Sequence, residues 1–156
     1  MGYSVNYIGE FKTNVPIDAE TNQHLEHLVG VLAYDGDYPV YWHFQDDLQT
    51  LEWQGGEKFN IHETWIVEVV EALRARGYTL SGKIQYQGEE IGDCGVIDVT
   101  PDCITMFVAD LAHIKFETKI LWNAPNRSEG DCPVSSPTAH NASLAMCKKR
   151  KAQTAN

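Results

Sequence analysis

Cationic side chains are scarce through most of this chain. Residues 1–110 hold five Lys or Arg against nineteen Asp or Glu, a net −14, whereas residues 111–156 hold seven against three, a net +4. An acidic body of this kind repels the phosphate backbone of nucleic acids and anionic lipid, and it is steered toward basic surfaces or bound cations. Direct nucleic-acid binding by the folded body is therefore disfavoured. Long apolar runs are missing too: nowhere do roughly 18 apolar residues follow one another, the length a helix needs to cross a bilayer. The chain does not open with a basic stretch followed by an apolar one. The expectation is a soluble, unexported protein with no membrane partner.

Cysteine is sparse and unpaired in sequence. Cys94, Cys103, Cys132 and Cys147 form no CxxC motif, whereas zinc sites in small folds bring paired ligands at short spacing. Without an export signal, free thiols are the expected state. The N-x-S triplets at Asn126 and Asn141 accept sugar only in a secretory context and are set aside.

Catalytic signatures are also lacking. There is no GxxxxGK[ST], no GxGxxG before a helix and no GxSxG, and His62-Glu63 is followed by Thr64, Trp65 and Ile66, which breaks HExxH. Gly55 and Gly56 precede a helical pattern with Lys58 nearby, but Glu57 would repel a phosphate there. His24 and His27 lie three apart, a spacing that can share a helix face, but no third ligand is marked. No cofactor is indicated.

What is present is enough apolar material for one core: 156 residues, 43% hydrophobic, lie within the usual size of a single domain. Tyr3, Val5 and Tyr7 alternate, with Phe11 resuming after Gly9, which predicts a strand over 3–12 with a bulge at the glycine. Leu25, Leu28, Val29 and Leu32 have helical spacing, and Asp18 is placed to cap that helix. PVYWHFQ and LQTLEWQ, separated by Asp46 and Asp47, read as a hairpin. Ile61, Trp65, Ile66, Val69, Val70 and Leu73 define one face of a helix over about 61–76. Asn60 and Glu63 lie at its start and Gly77 at its end. TLSGKIQYQ, GVIDV and CITMFVA form a three-strand meander. Residues 111–122 fit an edge strand or a helix. The order predicts an α+β fold: a mainly antiparallel sheet of five to six strands with two helices packed on one face. The domain is expected over 1–122. Beyond it, 123–156 is rich in Pro, Ser and Asn and ends in a basic KKRK cluster, which predicts a disordered tail.

Two stretches share a form: EWQGGEKFN at 52–60 and YQGEE at 86–90. If they are neighbours at one end of the sheet, Trp53, Glu57, Lys58, Phe59, Tyr86, Glu89 and Glu90 make an acidic, aromatic binding surface. Glu52, Glu57, Glu89, Glu90 and Asp93 are also the acids that could converge on a divalent cation or perform acid and base work.

The segment from Trp42 to Thr105, with LEWQGGEKFN, the helix carrying Trp65, GYTLSGKIQYQGEE and the closing VIDV, resembles a family of small bacterial and phage-encoded proteins to which no reaction is assigned. Their marks are an EW(D/Q)GGEKF motif and a later aromatic-Gln-Gly-Glu turn. Gln54 stands where an acid is expected, and residues 34–40 are shorter than the insertion many members carry. The resemblance implies a phage or prophage-type protein in the cytoplasm of a bacterial host cell. The function expected from it and from the charge is a non-enzymatic acidic binding protein that engages a host protein with a basic surface, in a host-takeover or anti-defence role. The alternatives are a metal-dependent enzyme or metal-binding protein using the carboxylates of the 52–57 and 89–93 loops, and a phage structural or accessory protein.

Overall fold

The protein is seen in a computed structural model that describes residues 3–32, 42–55 and 62–125, with the side chains of 29–32 excepted. The elements run β1 (Val5–Thr13), α1 (Ala19–Leu32), β2 (Trp42–Phe44), β3 (Thr50–Trp53), α2 (His62–Ala75), β4 (Leu80–Gly88), β5 (Cys94–Thr100), β6 (Cys103–Asp110) and β7 (Lys115–Asn123). Their strands form one antiparallel sheet in the order β2-β3-β1-β4-β5-β6-β7. The class is α+β as expected, with seven strands where five to six were expected. The added strand is β7: residues 115–123 pair along β6 as an edge strand, with a bulge between Ile104 and Thr105. The sheet thus includes Asn123, and Ala124 is buried with its N–H donating to the Asp102 carbonyl at 2.7 Å. Of the expected tail, 126–156 lie outside the described residues.

Local chemistry sets the element ends. Asp18 Oδ1 accepts the Thr21 N–H at 2.7 Å and so caps α1. The Tyr78 hydroxyl donates to Asp18 Oδ2 at 2.9 Å, and these bonds hold the carboxyl below its usual range. Asp47 closes the β2–β3 hairpin: its Oδ1 accepts from the Gln49 and Thr50 amides and its Oδ2 from the Thr50 hydroxyl. At the end of α2, Gly77 takes a left-handed φ of 85°. The Gly77 N–H donates to the Arg74 carbonyl and the Tyr78 N–H to the Leu73 carbonyl, the paired closure of a Schellman motif. The expected capping residue of α2, Asn60, lies outside the described residues.

The bulge expected at Gly9 is absent. β1 pairs with β4 in unbroken register from Val5 opposite Gly88 to Thr13 opposite Leu80. Gly9 and Gly82 instead permit close strand approach: a Cβ on Gly9 would meet the Lys83 carbonyl, and one on Gly82 the Glu10 carbonyl.

The core lies between the helices and one face of the sheet. It joins Leu25 of α1 and Trp65, Ile66, Val69, Val70 and Leu73 of α2 to Val5, Tyr7, Phe11, Leu51, Leu80, Ile84, Ile97, Val99, Ile104 and Met106 of the sheet. Trp42 and Phe44 face this core from β2, and Trp42 stacks on Trp65 with ring centroids 4.7 Å apart. Between them in sequence, His43 turns the other way and is half-buried.

A candidate binding site at the end of the sheet

The turn after β4 folds back onto the start of β1. Tyr3 Oη donates to Asp93 Oδ2, the Glu90 N–H donates to Tyr3 Oη at 3.3 Å, and the Ser4 N–H donates to Glu89 Oε1 at 3.0 Å. Gly88 provides the space, since a Cβ there would collide with both the Asp93 carboxylate and the Tyr3 hydroxyl. The phenol of Tyr3 is pushed up by burial first and by its bond to Asp93 second.

Beneath α2, the residues of the same sheet end form a buried polar cluster. The Tyr7 hydroxyl lies 2.8 Å from His62 Nδ1, and the His62 ring rests on Tyr86 at 4.6 Å between centroids. Burial dominates the electrostatics of all three. It pushes the Tyr7 and Tyr86 phenols far above the ordinary value, with the Asp93 carboxylate adding to the rise. It also holds the His62 imidazole below its ordinary value, keeping it neutral, against the opposing pull of Glu63 and Asp93. Gly95 makes room for the Tyr86 ring, whose hydroxyl would lie 2.6 Å from a Cβ at that position.

β3 pairs with β1 only over Glu52–Thr50 opposite Glu10–Lys12. Beyond Trp53 an open cleft of ≈ 250 Å³ lies against the start of β1, lined by Ser4, Val5, Asn6, Trp53, Gly55, Gln87 and Glu89. Trp53 is half-buried, held edge-on against Tyr7 at 4.8 Å between centroids. Gln87 Nε2 donates to the Gly88 and Asp93 carbonyls, and its Oε1 is buried with no partner among the described residues. On the face of the sheet turned away from the helices, strand pairing sets His43, Glu52, Glu10, Lys83 and Asp98 in one row, which runs from exposed Glu10 to buried Asp98. Lys83 neutralises Asp98 at 3.2 Å and Lys12 approaches Glu10 at 3.4 Å. Glu52 accepts from Gln45 and Gln54.

Of the residues expected to form the site, Trp53 and Glu89 meet in this cleft. Glu90 is exposed on the adjoining turn. Tyr86 is 2% exposed and belongs to the core, so its ring offers no surface to a partner. Glu57, Lys58 and Phe59 lie outside the described residues. Asp93 was among the candidate acids, but Asn6, Gln87 and the contact of Tyr3 with Asp93 were not singled out from the sequence, because no local pattern marks a contact made across 90 residues. Among the described residues no group of three or more His, Cys, Asp or Glu is arranged to hold a metal ion. His24 and His27 are both exposed on α1.

The cysteines differ from expectation. Cys94 and Cys103 are disulfide-bonded, not free thiols. No described helix is long and apolar enough to cross a membrane. No protein-family model, no curated protein and no solved structure matches this chain.

Proposed function

We propose that this is a non-enzymatic binding protein of the bacterial and phage-encoded type its sequence resembles, and that it takes a basic, extended segment of a partner protein at the cleft between β1 and the end of β3. The observation that carries this reading is the meeting of Trp53 and Glu89 in one open cleft, beside a solvent face bearing Glu10 and Glu52. A half-buried indole gives apolar contact to a partner side chain, and the carboxylates supply the complementary charge that steers a cationic partner and sets its register. The metal-dependent alternative receives no support from the described residues, and no observation favours a role as a phage structural or accessory part.

A cytoplasmic meeting with this partner, expected from the sequence, fits poorly with two disulfide-bonded cysteines, because cytosolic thiols are kept reduced. We therefore place the encounter in an oxidising compartment, such as a bacterial periplasm or cell surface.

The test is titration with an extended Lys- and Arg-rich peptide at low and moderate salt, read by NMR at the Trp53 indole and the Gln87 amide. Shifts at both groups are expected, weakening with salt and with E10K and E52K. Equal response to an acidic peptide of the same length, or binding indifferent to both charge reversals, overturns the reading.

A further inference from the structure

The face of β5 and β6 that turns away from the helices is as deeply buried as the core beneath them. Strand alternation sends Ile97, Val99, Ile104 and Met106 to the helix side, where they join the core. It sends Cys94, Val96, Cys103 and Phe107 to the opposite side, where they are 1%, 1%, 0% and 0% exposed. The described helices lie on the other face, so neither covers these four. The burial is also local, because Ile8, on the same outer face of β1, is 53% exposed.

We propose that the C-terminal segment 126–156 covers this face, fastened by two disulfides that run from Cys94 and Cys103 to Cys132 and Cys147. Both Cys94 and Cys103 are disulfide-bonded, and the strand register prevents them from bonding to one another. Cys103 stands opposite Thr100, whereas Cys94 begins β5 six residues earlier, a separation of about 20 Å at the strand rise. A disulfide joins Cα atoms no more than about 7 Å apart. The chain contains only two further cysteines, Cys132 and Cys147.

The path of the chain agrees. β7 ends at Asn123, directly opposite Cys103, and Ala124 is bonded to Asp102 beside it, so the segment departs from the edge of the buried face. The nine residues from Asn123 to Cys132 extend to about 30 Å, enough to reach either end of the β5–β6 hairpin. The segment also supplies apolar side chains, among them Val134, Leu144 and Met146, to set against Val96 and Phe107. Each bond forms by oxidation of two thiols, with two protons and two electrons passing to the disulfide of a thiol–disulfide exchange protein, which is reduced to its dithiol.

The experiment is disulfide mapping of the full chain, alkylated without reduction, digested and analysed by mass spectrometry. Peptides joining Cys94 and Cys103 each to Cys132 or Cys147, in a chain that remains monomeric on a non-reducing gel, are expected. A Cys94–Cys103 link, free thiols at these positions or a disulfide-linked dimer overturns the proposal, the dimer by making a second copy the cover. Hydroxyl-radical footprinting provides the second readout. Phe107 is expected to be protected in the oxidised chain and to become several-fold more reactive after reduction. Protection that survives reduction overturns the disulfides as the fastening.

Discussion

His62 is a buried imidazole at the start of α2, bonded to the Tyr7 hydroxyl at 2.8 Å and packed at a tilt against the Tyr86 ring. Burial lowers its pKa below the ordinary 6.5. The unfolded chain therefore binds the proton more readily than the folded one. The stability associated with neutral His62 is fully present above pH 6.5 and is lost as pH falls through that value toward the lower folded one. The melting temperature should drop more steeply between pH 7 and pH 5 in the native protein than in H62F. Tyr7→Phe leaves a buried ring nitrogen without its partner and should cost about 1–3 kcal/mol in denaturant unfolding. Gly95 makes a separate prediction. A Cβ there would strike the Phe107 backbone carbonyl as well as the Tyr86 ring, so Gly95→Ala should lower stability by about 1–3 kcal/mol through overpacking. Gly88→Ala should cost less, because the groups it meets are the movable ends of Asp93 and Tyr3.

At the scale of elements, the ends of the helices and the hairpin were readable because their chemistry is local. Asp18 accepts from an amide three residues on, Asp47 from amides two and three residues on, and Gly77 supplies the left-handed turn after α2. Asp18→Ala should lower the melting temperature by removing both the cap and the Tyr78 bond. Asp18→Asn, which retains an accepting oxygen for Thr21, should lower it less. Residues 111–122 were ambiguous for an equally physical reason. Their side chains in β7 are mostly exposed or half-buried, so the alternation that marks a strand with one buried face is weak. The run becomes a strand because β6 offers it an edge. Gly9 misled in the opposite direction: a glycine inside a strand is compatible with a bulge or with close backbone approach. The unbroken β1–β4 register selects the second.

For the whole molecule, the sheet order and the disulfides decide behaviour. Reduction of the full chain, or the C94S/C103S double substitution, should destabilise it by about 2–5 kcal/mol, measured as a fall in denaturant midpoint. The cleft beside Trp53 exists at this scale alone. It depends on β1 inserting between β3 and β4, which brings the ends of two strands distant in sequence against one stretch of chain. The two similar stretches EWQGG and YQGEE suggested that proximity, and Trp53 and Glu89 do meet. The similarity does not extend to exposure, however, because Tyr86 faces the helices while Trp53 sits at the rim.

By itself the sequence determined the α+β class, most of the elements, their caps and turns, and the acidic character of the body. Each of these depends on interactions within a few residues or on side-chain periodicity. Tertiary structure decided the strand order, the seventh strand, the Tyr7–His62 and Tyr3–Asp93 contacts, and the oxidised state of Cys94 and Cys103. The contacts depend on register across separations of 55 and 90 residues, and the oxidation state depends on which thiols the fold as a whole brings within bonding distance.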